Sequence, residues 1–336
     1  MPHRRTLLLP AALLALWHLV FICAGFLAPY DPAEQDRDLP YTAPAHWQFH
    51  DSQGFHLRPY VCPPHDLAAT SQPQQCYPLQ FFVHGWRYSF AGMRWSVHLF
   101  GVPTPGRIAI LGTDAYGRDM CSRLLFGGRI SLAIGLLAVL VSLLAAMLIG
   151  TVSGYYGKWT DELLMGGAEL FLVVPWLYFL LALRAMLPLH LSASATFLLV
   201  VGVIGSLGWA RPMRLIRGLV LSARERNYVL AARGFGASDA YLLRRHIAPS
   251  TAGVLLTQAA LLVPQFVAAE AALSFFGLGV SEPVPSWGNM LAVLQQYSVL
   301  VSYWWMLAPA FALVITSVMY CWLAEVLQRS LKSFSI

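Results

Sequence analysis

Three ionisable side chains, Glu169, Arg184 and Glu270, interrupt long apolar runs of the sequence. On insertion scales such a group at the centre of a membrane-crossing helix costs roughly 2.5 to 3.5 kcal/mol, so each requires an explanation. Glu169 and Glu270 admit two: they line a polar pathway for a translocated solute, or they are buried in hydrogen bonds where helices meet. Arg184 lies toward one end of its run, where a long side chain snorkels to the interface. Away from these runs, His46, His50, His56 and His65 share one stretch, but their spacing matches no metal-ligand motif, and solvated loop histidines are expected. Cys62 and Cys76 lie in the same stretch. A bridge between them would contribute on the order of 3 kcal/mol by chain entropy, and sequence alone leaves that pairing open. Cys23, Cys121 and Cys321 sit in or beside apolar runs, where thiols behave as small hydrophobes.

Other chemistry is excluded by missing residues. A P-loop requires G-x-x-x-x-G-K-[ST], whereas the one Gly-Lys pair, Gly157-Lys158, is followed by Trp159 and has Val152 at the first glycine position. The chain is therefore not expected to hydrolyse ATP itself. H-E-x-x-H, G-x-S-x-G and paired-cysteine zinc spacings are absent too, so no enzyme, metal site or cofactor is expected.

The elements that must position these residues are dictated by composition. With 57% hydrophobic and 11% charged residues, the chain has more apolar surface than a soluble domain of 336 residues buries, and lipid must solvate part of it. Six segments are long and apolar enough to cross a bilayer, near 7 to 28, 129 to 154, 163 to 187, 194 to 213, 250 to 275 and 302 to 325. The first is longer than a signal-peptide core and lacks a small-x-small cleavage site, so it is expected to remain as a span. The net charge of +6 does not point to nucleic acid, because the arginines are concentrated. Arg211, Arg214, Arg217, Arg224, Arg226, Arg233, Arg244 and Arg245 mark one connection as cytoplasmic by the positive-inside rule. An even number of spans then places both termini in the cytoplasm as well. The expected fold is an all-α polytopic membrane protein with three parts. Residues 1–28 form the N-terminus and first span, residues 29–106 a Pro-rich, irregular extracytoplasmic insertion, and residues 107–336 a core with five spans. The insertion holds 11 of the 21 prolines.

Two further regions carry informative spacing. In Asn227 to Ser250 a short helical stretch is broken by Gly234 and Gly236, and Ser238 or Asp239 can cap a second short helix running through His246. This glycine turn follows a helix rather than a strand and lacks the third glycine of a dinucleotide fingerprint, so it is not read as a nucleotide site. In Leu111 to Gly128 the charges of Asp114, Arg118, Asp119 and Arg123 alternate with apolar residues, as in an interfacial helix or an ordinary capped segment. Pro283, Pro285, Ser286, Trp287 and Asn289 read as an outer turn with an aromatic interface anchor. Pro175 and Pro264 are expected to kink their helices.

At these residues the chain resembles the permeases of ABC importers. The stretch 227–250 is similar to their EAA loop, with Tyr228, Ala231, Ala232, Gly236, Ala237, Asp239 and Pro249 as the candidate coupling residues. Leu230 stands where the usual Glu would be, Ala248 replaces Leu, and His246 occupies a position often held by Ile. Two further blocks resemble the dipeptide, oligopeptide and nickel branch. The first includes Gly112, Thr113, Asp114, Gly117, Arg118, Asp119, Ser122 and Arg123, together with Gly127, Arg129 and Ser131. The second, Ala272 to Leu291, includes Trp287, Gly288 and Asn289. The resemblance covers roughly residues 107 to 330.

It implies a multi-pass subunit in the inner membrane of a prokaryote, paired with a homologous permease. It also implies two cytoplasmic ATPases and an extracytoplasmic substrate-binding protein as partners, and no nucleic acid. The rival reading is an ion-gradient-driven secondary transporter or channel using Glu169 and Glu270. That class usually shows an inverted repeat, and none is seen.

Overall fold

The structure is a computed structural model that describes residues 2–51, 54–62, 76–90, 92–103, 106–173, 175–186, 188 and 191–334. The chain opens with α1 (Pro2–Ile22) and a further turn of helix, α2 (Ala24–Leu27). Five strands follow: β1 (His46–Asp51), β2 (Gly54–Cys62), β3 (Tyr77–Pro78), β4 (Gln80–Phe90) and β5 (Met93–Gly101). The rest is helical. α3 (Met120–Tyr156), α4 (Lys158–Val173), α5 (Trp176–Ala185), α6 (Ala193–Gly205) and α7 (Ala210–Arg224) come first. They are followed by α8 (Asn227–Gly234), α9 (Asp239–Leu242), α10 (Ala248–Phe275), α11 (Trp287–Ala292), α12 (Tyr297–Ser302) and α13 (Ala308–Phe334).

Three helical stretches among the described residues are long and apolar enough to cross a membrane: Met120–Tyr156, Asp239–Phe275 and Trp304–Ser330. α6 and α7 pass the same test only as a pair, bent by 48°. Leu7–Ile22 forms a shorter apolar helix. The third expected span is divided into α4 and α5, with Pro175 just before the second piece. Proline lacks the N–H that would continue the ladder, although its carbonyl still accepts from Phe179 N–H at 3.2 Å. Pro264, by contrast, lies within the continuous helix α10.

Residues 46–101 correct the all-α, irregular expectation. They form a three-stranded antiparallel sheet ordered β1-β2-β3 and a separate β4-β5 hairpin. The physical signal is the alternation of aromatic or branched residues with polar ones, as in HWQFHD and MRWSVHLFG, which suits a pleated surface. Among the described residues of this region, Pro59 lies in β2 and Pro78 in β3, so proline does not prevent the strands. Cys62 and Cys76 are joined by a disulfide with a Cα–Cα distance of 4.3 Å. His46 begins β1, while the side chains of His50 and His56, and all of His65, lie outside the described residues, as does the Arg184 side chain.

The chain divides into two compact units. One comprises residues 1–14, 133–273 and 315–336, the other residues 15–132 and 274–314. In the first, Met213, Ile216 and Val220 of α7 pack with Ala146, Tyr155, Ala168 and Ile247. In the second, Ala45, Val61, Leu79 and Ile108 fill one core, and Met120, Met290, Val299, Trp305 and Met306 fill another. The apolar faces of several helices are left uncovered, including Leu136, Leu140, Leu144 and Leu148 on α3. In a membrane such faces meet lipid.

A candidate coupling loop and a buried ion cluster

The stretch from Asn227 to Pro249 is a helix, a glycine turn and a second helix. Gly236 adopts φ +85°, a conformation that side chains rarely tolerate, and a Cβ placed there would meet nothing within 4 Å. Its requirement is therefore backbone conformation and not space. Ser238 caps the helix that follows, its hydroxyl accepting from Tyr241 N–H at 3.4 Å. This second helix is not short: α9 passes through a π-helical segment (Leu243–Ile247) directly into α10, making one continuous 37-residue rod. The glycine turn is thereby joined directly to a helix long and apolar enough to cross a membrane.

The loop is clasped by the end of α3. The Tyr155 hydroxyl donates to the Asp239 carboxylate and accepts from the Arg233 guanidinium at 2.8 Å, tying the two sides of the turn to one point. Nearby, Arg224 donates to the Gly154 carbonyl at 3.1 Å. Asp161 on α4 accepts two hydrogen bonds of 2.5 Å from Arg217 on α7 and one from Ser153. Val229, Leu242 and Ile247 are buried and root the loop. Its opposite side is open: Tyr228, Ala231, Phe235 and Tyr241 are exposed, Phe235 to 92%. A shallow hollow there is lined by Ala232, Phe235, Gly236, Ala237, Ser238 and Tyr241. His246 lies between Tyr228 and Tyr241, with each ring centroid 5.7 Å away. Pro249 is exposed beyond it.

The second group of expected residues forms something different from an interfacial helix. Residues 111–119 are a turn, and α3 begins only at Met120. Gly117 has φ +70°, with the Asp36 carbonyl where a Cβ would stand, so glycine alone fits. Asp119 caps α3 through one oxygen, which accepts from the Ser122 N–H at 2.7 Å and its hydroxyl at 2.6 Å. Asp114, Arg118 and Arg123 are buried together, and Glu282 completes the cluster. Arg118 donates to Asp114 and to Glu282, each at 2.7 Å. Arg123 donates to the other Glu282 oxygen at 2.7 Å and approaches Asp114 at 3.5 Å. Burial pushes the Glu282 carboxyl up in pKa, but Arg123 and Arg118 outweigh it and hold the group below its usual range. Burial dominates at Asp119, whose pKa is pushed up to about 6 against its hydrogen bonds from Ser122.

Thr113 and Gly112 are held by the indole of Trp305, which donates to the Thr113 carbonyl at 3.0 Å. Trp287 is wholly buried, correcting its expected role as an interface anchor. Its indole donates to the Leu124 carbonyl at 3.1 Å, and its backbone N–H donates to the Ser131 hydroxyl at 3.1 Å. Ser286 and Asn289 form a capping box around Trp287 and Gly288. Leu111–Ser131 and Val280–Asn289, far apart in sequence, are thus fastened into one block.

Glu169 is exposed on α4, whereas Glu270 is fully buried in α10. A cavity of about 540 Å³ in the same unit is lined by Phe171, Leu180, Leu262 and Phe266, with Arg211 and Gln265 as its polar groups. Sequence reading missed Glu282, Tyr155 and Asp161. Glu282 had a signal, being the one acid in the block from Ala272 to Leu291, while Leu111–Ser131 holds three arginines, Arg118, Arg123 and Arg129.

Long apolar helices, with an arginine-rich helix-turn-helix loop running into one of them, are the features of a membrane protein. The match that establishes its kind is to the binding-protein-dependent transport system inner membrane component, over residues 146–333. This is more than half of the chain, which belongs to that family. A peptide permease protein of Brucella suis biovar 1 is 38% identical over 205 residues, covering 61% of this chain and 66% of the relative. The dipeptide transport system permease protein of Bacillus subtilis is 35% identical over 221 residues, 66% of this chain and 67% of that protein. The oligopeptide transport system permease protein of Haemophilus influenzae is 32% identical over 244 residues, 73% of this chain and 76% of that protein.

Proposed function

We propose that this chain is one permease subunit of an ATP-driven importer of dipeptides or oligopeptides. The observation that carries the reading is the clasped glycine turn. It presents an open face of small and aromatic residues on one side and continues into a membrane-crossing helix on the other. In this reading Ala231, Ala232, Phe235 and Ala237 form the docking surface for a cytoplasmic ATPase, and Gly236 sets the turn. Tyr155, Arg233 and Asp239 keep the two helices moving as one body. Closure of paired ATPases on nucleotide then tilts the α9–α10 rod between inward-open and outward-open states. The chain crosses the membrane six times, with α4–α5 and α6–α7 as broken spans and both termini cytoplasmic. A second, homologous permease completes the path, and an extracytoplasmic binding protein delivers the peptide. The cavity holding Arg211 and Gln265 forms part of the wall of that path. The ion cluster of Asp114, Arg118, Arg123 and Glu282 acts as a rigid fastening within its own unit. Peptide as substrate is supported by the names of the relatives.

The test is peptide-dependent growth of a peptide-auxotrophic host in which this chain and its partners are the sole uptake route. Uptake is expected to require a P-loop ATPase with an intact lysine and to survive collapse of the proton gradient. Uptake that follows the gradient and ignores the ATPase would instead establish the secondary transporter, with Glu169 and Glu270 as its sites.

A further inference from the structure

The β4–β5 hairpin carries a concentration of exposed apolar side chains: Phe81, Phe82, Phe90, Met93 and Trp95. The register sets Tyr88 opposite Trp95 and Phe90 opposite Met93, so these four share one face of the hairpin. That face lies against helix ends. Tyr88 packs on Gly25 of α2 so closely that a Cβ there would stand 2.3 Å from its ring. The Phe82 ring meets that of Phe26 at 6.3 Å, and Trp86 reaches Phe126 near the start of α3 at 5.8 Å. Leu16, Leu19 and Ile22 on α1 are exposed and lead up to the same place. From Ile22 to Gly25 the chain rises by roughly 5 Å along a helix, which is within the ~5 to 8 Å of headgroup layer on each side of the hydrocarbon core.

We propose that the β4–β5 hairpin is an outer-leaflet anchor, with Phe90, Met93 and Trp95 set into the headgroup and acyl boundary beside the first span. This rests on the reading of Leu7–Ile22 as a span and of residues 29–106 as extracytoplasmic. Phospholipid is the occupant that fits, because Tyr88 seats this apolar face on Gly25, three residues past the last of the exposed apolar side chains Leu16, Leu19 and Ile22 of α1. Tyr88, the buried member of this face, is covered at Gly25, and Phe90, Met93 and Trp95 stay open beside it. Tryptophan at this depth keeps its ring in the apolar layer and its N–H in the wet one. Arg94 and Ser89, paired on the opposite face, are left to water and phosphate. A two-stranded hairpin is marginal by itself, and here helix ends below and lipid beside it supply the missing contacts.

The test is collision accessibility of nitroxide labels on the full-length chain in phosphatidylethanolamine and phosphatidylglycerol nanodiscs, with Cys23, Cys121 and Cys321 replaced by serine. Labels are placed singly through Met93→Cys, Arg94→Cys and Leu16→Cys, all at exposed side chains. At 93, oxygen is expected to collide more often than a water-soluble nickel chelate, and at 94 the order should reverse. A label at 93 that meets the chelate as freely as at 94, or is shielded from both reagents by protein, would overturn the proposal. The label at 16 separates the two readings: lipid exposure at 16 with water exposure at 93 defeats the anchor alone. Water exposure at 16 defeats the span and the anchor with it.

Discussion

Arg118 and Arg123 show how two cations can be kept in a protein interior. Their side chains are 6% and 2% exposed, and each shares Asp114 and Glu282 with the other. Removing one member of a buried network strands its partners, typically at 3 to 5 kcal/mol, and the half-exposed Glu282 reduces that through solvent screening. Glu282→Gln is therefore expected to destabilise this unit by about 1 to 3 kcal/mol, read as a lower Tm in nanodiscs. Because its folded pKa is depressed, the stabilisation from Glu282 is present above its unfolded value and is lost as pH falls through the lower, folded one. Asp119 acts with the opposite sign. Its folded pKa is raised to about 6 from 3.8, so its contribution is complete below the unfolded value and is lost as pH rises through about 6. Asp119→Asn keeps an oxygen for Ser122 and is expected to abolish that loss. A wild-type Tm that does not fall across this interval, or falls equally in the variant, would contradict the assignment.

Among the elements, the glycine turn of residues 227–250 is most legible in the sequence, and the reason is local. Gly234, Gly236 and Ser238 specify a break and a cap within five residues, and nothing distant is needed to read them. Tyr155 was not legible, because its partners Arg233 and Asp239 lie 78 and 84 residues away. For Leu111 to Gly128 the sequence admits an interfacial helix or a capped segment, and the structure takes the second, with Asp119 as the cap. The ion cluster is not legible there because the Arg118–Glu282 contact spans 164 residues. In residues 29–106 the 11 prolines are the stronger signal, and the alternation of aromatic and polar residues that marks β1 and β5 is the weaker one. Two consequences belong at this scale. Tyr155→Phe removes only the hydroxyl that joins Arg233 to Asp239, so peptide uptake is expected to fall several-fold at unchanged abundance, with basal ATPase activity of the complex retained. At Gly236 there is open space but a left-handed backbone, which costs an L-residue about 1 to 2 kcal/mol. Gly236→Ala should thus impair uptake less than Gly236→Val, whose branched side chain is stiffer still. Equal uptake by both variants and wild type would show that the turn geometry is dispensable.

At the level of the whole chain, three apolar rods and a bent pair among the described residues are long and apolar enough to cross a membrane, fewer than the six spans expected from the sequence. With the bent pair counted as one span, two of the six fall short: the third is divided just before α5 at Pro175, and the first is represented by the shorter apolar helix Leu7–Ile22. Broken helices are tolerated in a bilayer where neighbouring protein or a water-lined cavity satisfies the freed backbone groups, and a transport path supplies both. Arg211 at such a cavity is expected to matter for transport and not for assembly. Arg211→Ala should lower uptake while leaving recovery of the partner chains intact, as measured by transport and co-purification from the same membranes.

The claim on which the rest depends is that the open face around Gly236 receives an ATPase. The most direct measurement is co-purification from detergent-solubilised native membranes, comparing wild type with Gly236→Val and identifying the recovered chains by mass spectrometry. The account predicts a P-loop ATPase and a second permease with wild type, and with the variant the second permease without the ATPase. Recovery of the ATPase in equal amount with both, or of this chain alone while it still transports, would contradict it.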